Sequence, residues 1–245
     1  MRYLTLPGIA TPLSRIALGT VGFSPDDYQR AAELLDAFIA LGGTCIDTAH
    51  VYGRGASERA LGRWLRERQL PVLCMPEDAA YLAERCLRVQ PLNASGPTPF
   101  AGGSITPIPC LHGEGWVGRF MAHGHGYFIE KPGEPSLYIA GDTVLSDEVI
   151  RCVTQRRPAV SIIPAGGAAM DLGSELIMDA TQALDLASRG EGVFIANHLE
   201  ALDHCPTSRT DLLEQARRRG LDRRVLVPAD GQTMTFEEGA TTAYR

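Results

Sequence analysis

Three side chains that can bind a metal stand directly after apolar segments in the second half of the chain: His112, Asp142 and His198. Each apolar segment has the length of a buried strand, and the C-terminal edge of an open α/β sheet is where such folds place their chemistry. One carboxylate and two imidazoles suit Zn²⁺, Mn²⁺ or Fe²⁺ and leave positions open for water. The pattern therefore predicts a metal site that brings the pKa of a bound water to about 7.

The residues around Asp142 also allow a simpler role. Residues 137–140 have the pattern of a short buried strand, Gly141 permits a sharp turn, and a helical pattern begins after Val144. In this alternative, Asp142 or Thr143 caps the next helix. The two roles stay open at this point, and the spacing to His112 and His198 favours the metal ligand.

Composition limits the class of protein. With 245 residues and 44% hydrophobic residues, the chain can bury one large core or two small ones. A net charge of −6 gives no basic footprint, so a nucleic-acid partner is not expected. There is no bilayer-spanning apolar run, and Met1 is followed closely by Pro7 and Gly8 without a signal-peptide pattern, which predicts a cytoplasmic protein without a membrane partner.

The six cysteines are scattered without a CxxC pair and are predicted to be free thiols.

The first part of the chain predicts a strand–helix–strand–helix run. Residues 15–20 form the first strand, and Ser24 caps the first helix with Pro25 at its first position. Residues 44–46 form the second strand, which ends at Asp47. Ser57 is predicted to cap a second helix over 58–68. This order is typical of parallel α/β proteins.

Within this run the chain resembles the N-terminal part of an aldo-keto reductase, from about Ile16 to Arg68. The motif is Ile46-Asp47-Thr48-Ala49-His50-Val51-Tyr52-Gly53, followed by Ser57-Glu58 and Leu61-Gly62. The resemblance implies that Asp47 and Tyr52 belong to a catalytic tetrad with a lysine and a histidine. The tyrosine of that tetrad protonates a carbonyl as NADPH delivers hydride.

The chain departs from that family after this segment. Its single lysine, Lys131, lies far downstream in a predicted turn with proline and glycine beside it. No later segment resembles the cofactor-binding region, and two βα units are far fewer than the eight of a closed barrel. NADP is therefore not an expected cofactor, and reductase activity ranks last among the hypotheses.

The second part of the chain predicts a mixture of strands, helices and a hairpin. Tyr127–Glu130 and Leu137–Ala140 are predicted to form a hairpin around the Lys131 turn. The other predicted strands are 70–74, 85–89, 105–111, 159–164, 193–196 and 225–228, with a final hairpin piece at 232–236. The predicted helices are 76–84, 146–155, 179–188 and a last one that Ser208 or Thr210 caps and that ends at Arg219.

This part, about residues 70–236, resembles the C-terminal two-thirds of a metallo-β-lactamase-fold hydrolase, closest to the branch that includes ascorbate-phosphate lactonases. The matching motifs are Leu111-His112-Gly113, the segment Tyr138 to Thr143, the segment Asn197 to Pro206, and Val227 to Gly231. The resemblance implies that His112 ligates a first metal, Asp142 bridges two metals and His198 ligates the second. It implies hydrolysis of an ester, lactone, amide or phosphoester by a metal-bound hydroxide.

Here too a motif is absent, because no His-x-His-x-Asp-His segment exists in the sequence. His123-Gly124-His125 is the single HxH, but it lies at another place, and a pocket or surface role is favoured for it. Asp179 is interpreted as a helix cap. The predicted domains are an aldo-keto reductase-like βα fragment, 1–69, and a metallo-β-lactamase-like region, 70–245.

The predicted fold class is α/β: an incomplete αββα sandwich of the metallo-β-lactamase type with an N-terminal βαβα appendage. Loss of the N-terminal half of the sandwich is expected to leave apolar sheet surface uncovered. The main functional hypothesis is a metal-dependent hydrolase of a small-molecule substrate, impaired by the missing motif and holding sub-stoichiometric Zn or Mn. The alternative is a catalytically inactive fusion of two truncated enzymes. The sequence does not predict an oligomeric state.

Overall fold

A computed structural model describes most of the chain: residues 3–4, 13–14, 18–44, 46–48, 52–113, 115, 118, 124–169, 175–200, 205–229, 232, 234 and 236. The chain divides into two compact units, Met1–Ala94 and Ser95–Arg245. The sequence pattern changes at Gln69, but the first unit continues past this residue and ends at Ala94. Each unit is described by itself.

The N-terminal unit contains three pairs of short strands and three helices among its described residues. The pairs are β1 (Tyr3–Leu4) with β2 (Leu13–Ser14), antiparallel; β3 (Leu18–Gly19) with β4 (Ile46–Asp47), parallel; and β5 (Pro71–Cys74) with β6 (Arg88–Pro91), parallel. The helices are α1 (Tyr28–Ala40), α2 (Ala56–Glu67) and α3 (Pro76–Glu84). The order β3–α1–β4–α2 is the predicted βαβα run.

The core of this unit lies between α1 and α2. A single 3₁₀ turn, Pro25–Asp27, leads into α1, and the Ser24 hydroxyl accepts a hydrogen bond from the Asp26 amide at 3.2 Å, as the predicted cap requires. Buried side chains from both helices and the segment before them form one apolar cluster: Phe23, Tyr28, Ala31, Ala32, Leu35, Ala60 and Trp64. Their spacing along α1 is that of one helical face.

The start of α2 differs from the prediction. Gly55 precedes the helix in the left-handed region, with φ +79°, and Ser57 lies inside the first turn. The Ser57 hydroxyl is buried and lies 2.5 Å from the hydroxyl oxygen of Thr20 and 3.2 Å from that of Thr48. Ser57 was predicted as the helix cap, and that prediction is wrong because tertiary hydroxyl partners take the place of the local backbone amide.

The C-terminal unit is built on one seven-stranded sheet in the order β13-β12-β11-β10-β9-β8-β7. Its strands are β7 (Thr98–Phe100), β8 (Gly103–Cys110), β9 (Gly124–Glu130), β10 (Leu137–Ile139), β11 (Val160–Pro164), β12 (Val193–Asn197) and β13 (Val225–Leu226). β7 to β10 pair antiparallel, whereas β10 to β13 run parallel. The β9–β10 pair confirms the predicted hairpin.

In the described part of these connections, three helices link the parallel strands: α4 (Asp147–Arg151), α5 (Ala180–Arg189) and α6 (Arg209–Arg218). Side-chain oxygens of Ser146, Asp179 and Ser208 cap them, which confirms the predicted caps at Asp179 and Ser208. The predicted helix over 146–155 changes after Arg151 into a π-helical segment, Cys152–Arg156.

The two faces of the sheet differ in burial. The register aligns Phe128, Tyr138 and Phe194 in one cross-strand row, and all three are at most 1% exposed. Every strand residue in the main core shares this face, where residues of α4, α5 and α6 pack against it. Burial of Phe128 and of Phe194 stabilises the fold by about 1.5–3 kcal/mol each. For Tyr138 the gain is smaller, because its buried hydroxyl has no hydrogen-bond partner among the described residues.

The opposite face carries several apolar side chains that are only half-buried: Tyr127, Leu137, Ile139, Ile162 and Ile195. Other apolar residues on the same face are buried: Ile105, Ile129, Val160, Val193 and Leu226. The expected loss of apolar cover is therefore limited to part of this face.

Two further sequence predictions, the final hairpin piece and the absence of a membrane span, can be compared with the described residues only. In the predicted final hairpin piece, Gln232, Met234 and Phe236 carry no strand, and residues 233 and 235 lie outside the described part. No helix among the described residues is long and apolar enough to cross a membrane.

Candidate metal centre

The sheet topology brings the predicted ligands to one edge. β8 and β10 both run antiparallel to β9, and β10, β11 and β12 are parallel to one another. The C-terminal ends of β8, β10 and β12 therefore lie at the same edge of the sheet. His112, Asp142 and His198 follow these three ends, at the edge where α/β sheets hold their active sites.

Asp142 is placed by a tight turn after β10. Tyr138 and Ala140 are fully buried, and Gly141 then adopts φ +69°, a conformation that glycine reaches without steric cost. The Asp142 side chain is 48% exposed. Ser146 caps α4, so the helix-cap alternative for Asp142 is excluded.

The loop that carries His112 is tied to the turn that carries Asp142. The Leu111 amide donates to the Thr143 hydroxyl oxygen at 3.1 Å, and the Val144 amide donates to the Leu111 carbonyl at 2.9 Å. Thr143 is fully buried and also donates its hydroxyl to the Val144 carbonyl at 3.0 Å. These bonds fix the backbone next to His112, which is itself half-buried.

His198 and Asp142 face each other across this edge. Nε2 of His198 lies 3.8 Å from Oδ2 of Asp142. That separation exceeds the usual ~2.7–3.2 Å of an N–H···O hydrogen bond. It is shorter than two metal–ligand bonds of about 2.0–2.1 Å laid end to end. The two donors therefore fit a divalent cation bound between them.

The described residues do not assemble a complete ligand set. Within the described ranges, no three His, Cys, Asp or Glu side chains form a group that could hold a metal ion. The structure thus brings together Asp142 and His198, whereas His112 follows a strand end at the same edge without joining them. His50, His123 and His204 lie outside the described residues.

Two cysteines that the sequence interpretation left as plain buried thiols lie near Asp142. Cys110 donates its thiol to the Ala140 carbonyl at 2.8 Å, and burial, with a smaller contribution from the Asp142 carboxylate, raises its pKa to about 11. Burial and the same carboxylate also raise the pKa of Cys205. Both thiols are therefore protonated at neutral pH. A sequence signal existed, since Cys110 precedes His112 by two residues and Cys205 lies in the motif that begins at Asn197.

The reductase-like residues lie in the N-terminal unit. Asp47 ends β4, and its side chain lies outside the described part of the chain. Tyr52 is half-buried in the turn before α2. Lys131 belongs to the other unit, where it lies in the turn between β9 and β10 and pairs with Glu134 at 3.7 Å.

Comparison with protein families supports the N-terminal resemblance. The model of the aldo/keto reductase family matches residues 15–90. This match passes Gln69 and ends before Ser95, where the second unit begins. The predicted aldo-keto reductase fragment is thereby confirmed as a resemblance of this part of the chain.

Curated proteins of another group, named UPF0173, are also similar to this chain. The UPF0173 protein YddR of Bacillus subtilis is 30% identical over 142 residues, which are 57% of this chain and 56% of that protein. A UPF0173 metal-dependent hydrolase of Xanthobacter autotrophicus is 34% identical over 105 residues, which are 40% of this chain and 43% of that protein. The chain spans about half the length of the curated relatives it matches.

Solved structures identify the fold. An isothiocyanate hydrolase from Delia radicum gut bacteria superposes with a TM-score of 0.66 at 23% identity, over 78% of this chain and 75% of that one. The metallo-β-lactamase fold protein YhfI from Bacillus subtilis gives a TM-score of 0.53 at 15% identity, over 74% of this chain and 72% of that one. The chain has the α/β fold of the metallo-β-lactamase-type hydrolases, as predicted.

Proposed function

We propose that this chain is a metal-dependent hydrolase in which Asp142 and His198 hold a divalent cation, with His112 at the same sheet edge as the third candidate ligand. The observation that carries the proposal is the pair formed by Nε2 of His198 and Oδ2 of Asp142, 3.8 Å apart at the C-terminal edge of the sheet. A carboxylate oxygen and an imidazole nitrogen are ligands that Zn²⁺ and Mn²⁺ accept. The name of the Xanthobacter relative, a metal-dependent hydrolase, supports the same chemistry.

The exposure of the two side chains suits a site that takes its substrate from solvent. Asp142 is 48% exposed and His198 is 26% exposed, so the gap between them opens to water. A divalent cation bound there supplies Lewis acidity toward a carbonyl or phosphoryl oxygen and lowers the pKa of a water. The expected substrates are small molecules with an ester, lactone or phosphoester bond.

Metal binding is expected to be weak. The His-x-His-x-Asp-His motif is absent from the sequence, and the described residues contribute two facing donors. Structural and catalytic zinc sites use about three or four protein ligands. We therefore expect sub-stoichiometric Zn or Mn in the isolated protein.

Metal analysis of protein purified without an affinity tag tests the proposal. Wild type is expected to contain Zn or Mn, and Asp142→Ala is expected to lose it. Asp185→Ala is the matched control, because Asp185 lies on the exposed side of α5 and pairs with Arg189 in an i,i+4 ion pair at 2.9 Å. Wild-type metal content no higher than that of Asp142→Ala would contradict a metal-dependent function.

The incomplete ligand set among the described residues favours one second candidate, a catalytically inactive fusion that keeps the fold. Hydrolysis of p-nitrophenyl acetate and bis(p-nitrophenyl) phosphate with added Zn²⁺ or Mn²⁺ separates the two candidates. A hydrolase is expected to show turnover that a chelator and Asp142→Ala both remove. Metal binding without any turnover that depends on Asp142 would support the inactive fusion.

A further inference from the structure

His198 has an unusual backbone conformation and lies against a closely packed glycine. Its φ is +54°, in the left-handed region that residues other than glycine seldom occupy. Gly166, just after β11, approaches it so closely that a Cβ at position 166 would lie 1.9 Å from the His198 carbonyl oxygen. The same Cβ would lie 3.2 Å from the Cβ of Cys205. Gly166, His198 and Cys205 therefore pack together at the ends of β11 and β12.

The Cys205 thiol contacts the imidazole at the nitrogen that does not face Asp142. Sγ of Cys205 lies 3.4 Å from Nδ1 of His198, and Cys205 is 5% exposed. Nε2 of the same ring faces Asp142 at 3.8 Å. The ring thus has the thiol at one nitrogen and the carboxylate at the other, and each nitrogen has a defined neighbour.

Cys205 is itself held by the segment that follows it. The Thr207 amide donates to the Gly166 carbonyl at 3.1 Å, and the Glu200 amide donates to the Thr207 carbonyl at 3.3 Å. The Glu200 carboxylate accepts hydrogen bonds from the Arg209 amide at 2.8 Å and from the Arg209 guanidinium at 3.0 Å. The backbone is therefore anchored at Glu200 and at Thr207, which lies two residues after Cys205.

We infer that Cys205 is a positioning residue for His198, on the basis of the proposed metal-dependent function. A neutral imidazole that binds a metal through Nε2 must carry its proton on Nδ1. With a metal on Nε2, the thiol sulfur 3.4 Å away would accept that Nδ1–H and hold the ring with its Nε2 lone pair toward Asp142. Hydrogen-bond partners of this kind orient metal-binding histidines, and their loss commonly lowers metal affinity about 10–100-fold.

Titration with Co²⁺ alone, followed by visible absorption, tests the inference without an activity assay. Cys205→Ala is expected to bind Co²⁺ about 10–100-fold more weakly than wild type. Cys205→Ser keeps a hydrogen-bond acceptor at the same place and is expected to stay within about threefold of wild type. Cys152→Ala is the control: this thiol is 3% exposed in the main core, and its loss should lower thermal stability while leaving Co²⁺ affinity unchanged.

Equal Co²⁺ affinity of wild type and Cys205→Ala would overturn the positioning role but not the proposed function. An equal loss of Co²⁺ affinity in the Ser and Ala variants would do the same. A wild type that binds no Co²⁺ beyond the level of Asp142→Ala overturns the proposed function as well. Because Cys205→Ala could fail to fold, the wild type with Zn²⁺ added gives a second readout. Long-range ¹H–¹⁵N NMR is expected to show His198 bound through Nε2 with its proton on Nδ1, and metal binding through Nδ1, the nitrogen that faces Cys205, would overturn the inference.

Discussion

At the scale of single residues, the approach of Gly166 to His198 is a strong steric constraint on the candidate site. The atom nearest to a Cβ at position 166 would be a backbone carbonyl oxygen, at 1.9 Å, and backbone cannot move aside as the end of a flexible side chain can. Any larger residue must displace the end of β11 or the end of β12. The geometry of the Asp142–His198 pair therefore depends on a glycine that carries no chemistry of its own.

Gly166→Ala is expected to lower the free energy of unfolding by about 1–3 kcal/mol, the usual effect of overpacking. It should also weaken Co²⁺ binding, since His198 must shift. Gly124→Ala serves as the control, because a Cβ at that position would meet the Cβ of Cys110 at 3.8 Å, an ordinary van der Waals distance. Urea unfolding and Co²⁺ titration measure both effects, and unchanged values for Gly166→Ala would contradict the close approach.

Sequence spacing was enough to predict that Asp142 and His198 lie at one sheet edge, because both follow strands of the same direction. It was not enough to predict the role of Gly166 or Cys205. Their positions depend on how the loops after β11 and β12 meet, and no local pattern encodes that contact.

At the scale of elements, polar contacts along one side of α1 and α2 join the two helices. Nε of Arg68 donates to Asp36 at 2.7 Å, and the Trp64 indole donates to the same carboxylate at 3.0 Å. Tyr28 donates its hydroxyl to Glu67. The hydrogen bond from Arg68, followed by that from Trp64, lowers the pKa of Asp36, and the hydrogen bond from Tyr28, followed by that from Arg63, lowers the pKa of Glu67.

These directions predict acid sensitivity of the α1–α2 pair. A carboxylate whose pKa is lower in the folded state contributes stability above its unfolded pKa, and that stability is lost as the pH falls through the folded value. The ordinary values are 3.8 for Asp36 and 4.5 for Glu67, so the loss is expected to begin below about pH 4.5. Thermal unfolding followed by Trp64 fluorescence, in a Trp116→Phe background, measures it between about pH 3 and 7.

Asp36→Asn is the matched variant for this measurement. It should lower the midpoint at neutral pH and flatten the decline in acid, because one of the two titrating groups is gone. An acid dependence identical to that of the Trp116→Phe background would show that Asp36 does not contribute.

Local sequence signals predicted most elements, because caps and apolar periodicity act over a few residues. Asp179 and Ser208 cap the helices that they were expected to cap, and Ser24 caps the 3₁₀ turn that leads into α1. Ser57 did not, since Thr20 and Thr48 offer its hydroxyl tertiary partners. The π-helical segment after Arg151 was also missed, because a helical apolar pattern does not distinguish the two kinds of turn.

At the scale of the whole molecule, the resemblances in the sequence predicted the fold class but did not predict the extent of the compact units. The predicted boundary lies at Gln69, whereas the first unit continues to Ala94 and includes β5, α3 and β6. β5 and β6 pair with each other in parallel as a sheet of their own. Such pairing depends on tertiary contacts, which the change in sequence character at Gln69 does not report.

The seven-stranded sheet allows a final test, because adjacent residues of β11 point to opposite faces. Ile163 is 1% exposed on the face that α4, α5 and α6 cover, whereas Ile162 is half-buried on the other face. Ile163→Ala should therefore lower the free energy of unfolding by about 2–5 kcal/mol. Ile162→Ala, with the same change of side chain in the same strand, should cost less than half as much. Urea unfolding of the two variants measures the difference, and equal losses would show that the second face is covered as completely as the first.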